Sequence, residues 1–302
     1  MRVLIVGCGY VGLPLGAELT RQGHEVSGLR RSSAAENELK AAGIQPLFGD
    51  VTQPETLAKL PREFDWVVNC VAAGGDAENY RQVYLHGTRN LVEWLASNPP
   101  KKFVYTSSTS VYGQTDGSQV KESSPTEPLV ETAKVLLETE KNLLAVAQEK
   151  KFPAVILRVA GIYGPDRGHG FKQFLKNEAR IEGDGSRFMN MIHRDDLISC
   201  IIGSLKSGRA GEIYNAVDDE PVSQANFFQW LAGTVGKYPP PSEPENTAEN
   251  RKRGVTNKRV SNRRLKMELG CQFKYPNFRK GYSAEILRLE RAGELHVLPD
   301  ER

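Results

Sequence analysis

The chain has little cysteine, little excess charge and no long apolar run. Its four cysteines, Cys8, Cys70, Cys200 and Cys271, are scattered over 302 residues with no C-x-x-C pair. That scatter argues against a disulfide framework and against a zinc site, so no metal is expected, and a reducing compartment fits. A formal net charge of +3 is too small to mark a nucleic-acid-binding surface. No stretch of about 18 apolar residues occurs, which argues against a membrane-spanning helix. Met1-Arg2 leads straight into the strand-like Val3–Val6, without the longer apolar region and small-residue cleavage site of a secretory leader. The expectation is a cytoplasmic protein with a small-molecule substrate and neither nucleic acid nor membrane as partner, monomeric or homodimeric.

What is present is an ordinary globular composition, 39% hydrophobic and 25% charged, with enough length for one large domain or two modest ones. The first half alternates strand-like and helix-like stretches. Val3–Val6, Glu25–Leu29, Ile44–Phe48, Trp66–Ala72, Phe103–Thr106 and Ala154–Val159 read as strands. Between them, Val11, Leu15 and Leu19 fall at helical spacing, and Glu36–Ala42 forms a short helix closed by Gly43. Tyr84, Thr88, Leu91 and Leu95 share one helix face, and Glu131–Gln148 is a long helix. This alternation predicts an α/β fold with a doubly wound parallel sheet covered on both faces. The second half is less regular: helices at Arg194–Leu205 and Phe227–Val235, a late strand at Ile213–Tyr214, a proline-rich loop at Pro239–Asn246 and a basic segment at Arg251–Lys266. The expected division is a Rossmann-type domain over 1–165 and a smaller substrate lobe over 166–302, with segments around 190–220 returning to the first domain.

The opening VLIVGCGYVGLPLG places Gly7, Gly9 and Gly12 as G-x-G-x-x-G between a strand and a helix. In that context the first glycine permits a tight turn, the second lets backbone approach a pyrophosphate, and the third lets helix and strand pack closely. The phosphates then meet free N–H groups at the helix N-terminus. Tyr10 and Val11 lie on the same loop. Cys8 inside it reads as a packing residue rather than a reactive thiol. A site preferring NAD places an acid at the end of the second strand, to bond the adenosine ribose. Here that position reads Arg30-Arg31-Ser32. Two guanidiniums and a hydroxyl suit a 2′-phosphate, so NADP is expected ahead of NAD. The alternative is that one or both arginines are solvated surface residues.

Further segments, in order, resemble the extended short-chain dehydrogenase/reductase family, of the NAD-dependent epimerase/dehydratase type. They are Gly49-Asp50-Val51, Asn69–Ala73 (NCVAA), His86–Leu91 (HGTRNL), Thr106–Gly113 (TSSTSVYG), Leu157–Pro165 (LRVAGIYGP), Ile192–Leu197 (IHRDDL) and Gly211–Asn215 (GEIYN). The resemblance implies that Asp50 contacts the adenine, with Val51 beside it. It also sets Val71, Ala72 and Ala160 along the cofactor.

The family's chemistry uses a Ser, a Tyr-x-x-x-Lys pair and often an Asn. The Tyr is the acid/base, and the Lys binds the nicotinamide ribose and lowers the phenol's pKa. Aligned on these motifs, the Ser is Ser108, the Lys is best matched by Lys134, the Tyr position holds Val130 and the Asn position holds Tyr84. Three readings follow. The acid/base has moved, to Tyr84 first, or to Tyr163 or His193. Or the reaction needs no phenol and uses Ser108 with water. Or the chain binds NADP(H) without turnover, as a sensor or scaffold. Each residue also has a structural alternative: Tyr84 as core, Lys134 as surface, Ser108 as a strand end, His193 as a helix cap. On the substrate side Tyr163, Arg187, Asn190 and His193 are expected to meet a polar or sugar-like molecule. Arg251, Lys252, Arg253, Lys258 and Arg259 either bind an anionic group or form a solvated basic face.

Overall fold

The computed structural model describes residues 1–244 and 256–295. Part of the proline-rich loop (245–246) and Arg251, Lys252 and Arg253 of the basic segment lie outside the described residues.

The elements, in chain order, are β1 (Arg2–Val6), α1 (Gly12–Arg21), β2 (Glu25–Arg30), α2 (Glu36–Ala41), β3 (Gln45–Phe48), α3 (Pro54–Leu57), β4 (Trp66–Asn69), α4 (Ala77–Tyr80), α5 (Gly87–Leu95), β5 (Lys102–Ser108), β6 (Ser118–Val120), α6 (Glu131–Glu149), β7 (Ala154–Val159) and β8 (Gly161–Tyr163). The second half adds α7 (His169–Leu175), β9 (Ile181–Glu182), β10 (Phe188–Met189), β11 (Met191–His193), α8 (Arg194–Ser207), β12 (Ile213–Ala216), β13 (Val222–Ser223), α9 (Gln224–Val235), β14 (Ser242–Glu243), β15 (Lys258–Val260), α10 (Arg263–Leu269) and α11 (Phe278–Arg291).

Seven strands form one sheet in the order β12-β7-β5-β4-β1-β2-β3, and every pairing in it is parallel. Parallel strands need crossovers, and helices on both faces supply them. All six residues of β7 are buried, as that architecture requires. Two apolar layers result. Val3, Ile5, Leu15, Val104 and Ile201 pack on one side. Leu4, Val67, Leu91, Phe103 and Ile156 pack on the other. The order reverses beside β1, between β2 and β4, and in open α/β sheets ligands bind at the carboxyl ends of the strands at such a switch point. The glycine loop after β1 stands there.

The lobe is a separate apolar cluster of Tyr163, Phe171, Phe174, Phe227, Phe278 and Tyr282 with their neighbours. The return to the sheet is wider than the 190–220 expectation. Leu265 and Leu269 of α10 and Cys271 pack into the same layer as β1 and α8, because α8 presents apolar residues to both. The helix expected through Tyr84 has a wider, π-helical stretch at Arg81–His86 between α4 and α5. Such turns frequently mark functional sites.

Candidate active site

A cleft of about 760 Å³ runs along the carboxyl ends of the sheet strands and up to the lobe. Its floor is the glycine loop. Gly7 has φ +94°, in the left-handed region, and a Cβ there would lie 2.8 Å from the Val71 nitrogen. At Gly12 a Cβ would press on the Gly7 carbonyl oxygen. At Gly9 a Cβ would meet nothing within 4 Å, so the space above that residue is open. Helix α1 begins with no side-chain cap and no acid in its first turn, which leaves its N–H groups to an anion. The loop is thus a cradle that fits a pyrophosphate.

Around the floor the cleft gathers nearly all the residues expected to line a dinucleotide: Gly7, Gly9, Tyr10, Val11, Arg30, Arg31, Ser32, Asp50, Val51, Val71, Ala72 and Ala160. Gly12 stands just behind, where it lets α1 approach. The Arg30 guanidinium bonds the Cys8 carbonyl oxygen, which folds it over the loop. Arg31 is exposed. The Ser32 hydroxyl accepts from the Ala34 amide. Asp50 Oδ1 accepts from the amide and hydroxyl of Thr52 at 2.9 and 2.8 Å, which fixes the turn after β3. The Tyr10 hydroxyl donates to Pro165 O at 3.0 Å, and Arg167 and Arg194 lie over its ring. Burial pushes the Cys8 thiol up to about 12, so it is a packing residue. Cys200 and Cys271 are free and share a thiol hydrogen bond.

At the other end stand Ser108, Tyr84, Arg187 and Asn190. Ser108 Oγ accepts from the Ser110 amide at 3.1 Å, capping the turn after β5. Tyr84 is partly buried, its hydroxyl accepting from the Ala73 amide at 3.2 Å and its ring against Tyr80. Asn190 is a clamp: its side chain donates to Lys258 O at 2.9 Å and accepts from the Val260 amide at 2.8 Å. Arg187 pairs with Glu182 at 3.2 Å, while its Nε is buried with no hydrogen-bond partner.

Three expected site residues are elsewhere. Lys134 is exposed, pairs with Glu131 at 2.7 Å and lines a separate surface hollow. The α6 residues that reach the cleft are Thr132 and Leu136, one turn apart, with Val130 just before the helix. Two residues on a helix are about 200° of rotation, so Lys134 faces away. Tyr163 is buried in the lobe core, stacked on Tyr282 with centroids 4.5 Å apart, and its hydroxyl bonds Asn277 O. His193 is 3% exposed. Its Nδ1 accepts from the Asp195 amide at 3.1 Å, so it is the N-cap of α8. Burial pushes its pKa down to about 4, keeping the ring neutral, as an accepting cap must be.

The cleft also holds residues not singled out as substrate contacts: Tyr80, Thr132, Arg167, Thr256 and Lys258. Lys258 stood only as one of several basic residues with two open readings. Its place in the cleft depends on β15 pairing with β6, far away in the chain.

The model of the NAD dependent epimerase/dehydratase family matches residues 3–216, and the chain belongs to that family. Protein YeeZ of Escherichia coli K12 is 28% identical over 286 residues, 91% of this chain and 97% of its own length. A solved structure from Methylobacillus flagellatus, provisionally assigned as an NAD-dependent epimerase/dehydratase, is 34% identical with a TM-score of 0.75, covering 96% of this chain and 98% of that one. The dTDP-glucose 4,6-dehydratase DesIV of Streptomyces venezuelae, solved with NAD bound, shares the fold at a TM-score of 0.83 and 21% identity, covering 96% of this chain and 97% of that one.

Proposed function

We propose that the chain is an NADP(H)-dependent oxidoreductase or epimerase/dehydratase-type enzyme acting on a small polar or sugar-like carbonyl or alcohol. One observation carries the preference for the phosphorylated cofactor. The end of β2 offers the cleft Arg30, Arg31 and Ser32 and no acid. The backbone of Gly7–Gly12 would hold the pyrophosphate, Arg30 and Arg31 the 2′-phosphate, Asp50 and Val51 the adenine, and Val71, Ala72 and Ala160 the inner ribose and nicotinamide. That cofactor exchanges a hydride with a substrate carbon. Ser108 at the end of β5 then orients the substrate oxygen, and Arg187 and Asn190 shape the pocket around it. Tyr84 bounds the site on the side of the loop after β4.

The relatives support the class, not the substrate. YeeZ aligns over nearly its full length, and DesIV binds NAD. A second reading, cofactor binding without turnover, is favoured by Thr132 and Leu136. Neither supplies the phenol or the ammonium that the usual Tyr-x-x-x-Lys pair brings to this face.

Dissociation constants for NADPH and NADH test the proposal. Wild type is expected to bind NADPH more tightly, and Arg31→Ala to lose roughly tenfold for NADPH alone, since a charge-assisted contact contributes about 1.5–3 kcal/mol. Equal affinities would overturn the preference. Failure to bind either cofactor would overturn the proposal. NADPH oxidation over a panel of aldehydes, ketones and keto sugars separates turnover from binding alone.

A further inference from the structure

We propose that Lys258 is the acid–base residue at the substrate end of this cleft, giving a proton to the substrate oxygen as a carbonyl becomes a hydroxyl and taking it back in the reverse direction. The inference rests on the oxidoreductase reading above.

Lys258 is 4% exposed yet lines the cleft beside Ser108, Thr109, Ser110, Asn190 and Thr256. Its backbone is fixed twice, by the β15–β6 ladder, where it pairs with Ser118, and by the Asn190 clamp. Its ammonium donates to Tyr112 O at 2.7 Å and to Thr256 Oγ1 at 2.9 Å. Tyr112 follows the turn that Ser108 caps, so the nitrogen is tied to the segment that carries Ser108. An ammonium has three protons. Two are engaged, both by neutral oxygens, and among the described residues the third has no acceptor.

The charged groups on the surrounding elements are committed elsewhere. Arg259 donates to Gly117 O and lies over Phe188. Arg187 pairs with Glu182. Arg158 serves Glu140 and Tyr112. Glu122 accepts from the Asn215 amide. Among the described residues this buried cation has no counter-charge, so it loses solvation and gains no attraction, and its pKa falls to about 8. A lysine tuned to that range exchanges protons near neutral pH.

The step balances simply. An Nζ–H bond breaks and its electron pair stays on nitrogen as the amine. The proton forms the new O–H bond on the carbonyl oxygen, which takes up the C=O π pair as the attached carbon receives the hydride of the proposed NADPH. Solvent then reprotonates the amine.

The test begins with trace acetylation of the full-length protein by acetic anhydride between pH 6 and 11, read lysine by lysine by mass spectrometry. Lys258 is expected to titrate near 8. Titration at the ordinary lysine value, or no labelling at any pH, would overturn the proposal. Lys258→Arg keeps the cation but cannot deprotonate, and guards against a fold lost in Lys258→Met. On any carbonyl that the NADPH panel turns over, reduction by wild type is expected to decline above pH 8. Both variants are expected to lose roughly 10²–10⁴-fold in kcat, with NADPH affinity within about twofold of wild type. A purely structural lysine would instead give an Arg variant with wild-type kcat and pH profile. If wild type binds no cofactor, the parent reading fails. If it binds NADPH while Lys258 behaves ordinarily, only this inference fails.

Discussion

Glu140 and Arg158 form a buried ion pair between the long helix α6 and the inner strand β7, with side chains 1% and 4% exposed. Glu140 accepts from Arg158 Nη2 at 2.7 Å and Nε at 3.1 Å, and from Ser107 Oγ at 2.6 Å. Arg158 Nη1 donates to the Tyr112 hydroxyl at 2.9 Å, which donates to Asn215 Oδ1 at 2.9 Å. The network therefore joins α6, β5, β7 and β12. Glu140→Gln keeps the shape but leaves a buried guanidinium without a counter-charge. Breaking one side of a buried pair costs about 3–5 kcal/mol, a large share of the roughly 5–15 kcal/mol that holds a domain folded. At roughly 2–4 °C per kcal/mol, Tm should fall by about 6–20 °C. The double variant Glu140→Leu/Arg158→Met removes both desolvation penalties, so it should be clearly more stable than the sum of its single changes implies. Urea unfolding of wild type, Glu140→Gln, Glu140→Leu, Arg158→Met and the Glu140→Leu/Arg158→Met double variant at neutral pH gives the five values. A Glu140→Gln variant within about 1 kcal/mol of wild type, or strict additivity in the cycle, would refute the reasoning.

Three further variants have defined outcomes. Gly9→Ala should leave Tm unchanged, since nothing lies within 4 Å of its Cβ, while raising the NADPH dissociation constant at least about tenfold by blocking the close approach of phosphate. Gly12→Ala should lower both Tm and affinity, because its Cβ meets the Gly7 carbonyl and lies 3.1 Å from Cys70 Sγ; calorimetry and cofactor titration would separate the two variants. His193 is held neutral with its pKa near 4 against an ordinary 6.5, so below 6.5 the unfolded chain binds a proton that the folded chain refuses. Its contribution is full above pH 6.5 and is lost as pH falls toward 4, on the order of 2 kcal/mol by linkage. His193→Asn keeps a capping oxygen and should flatten that part of the stability–pH curve; an unchanged curve would remove His193 as the cause.

The glycine-loop end of the cleft was legible because its information is local. A strand, three glycines at fixed spacing and a helix are consecutive in the chain, and the loop conformation they permit is the floor of the cleft. Arg30, Arg31 and Ser32 follow the next strand directly, and a doubly wound sheet brings the ends of neighbouring strands together. The alternation of elements gave six of the seven sheet strands approximately, and the seventh, β12, was visible as a short run at Ile213–Tyr214.

The substrate end was not legible, because its residues come from segments that only packing brings together. Which face of α6 meets the cleft depends on how its apolar residues seat on β5 and β7. A two-residue difference turned Lys134 outward and Thr132 and Leu136 inward. Tyr163 and His193 lie in a promising stretch, yet the aromatic cluster around Tyr282 and the start of α8 claimed them. Lys258 carried no motif, since Tyr112, whose carbonyl its ammonium bonds, stands 146 positions earlier. The chain's order of elements determined the sheet and the glycine cradle. The burial of a lysine with no acid beside it among the described residues was decided only when β15 docked against β6.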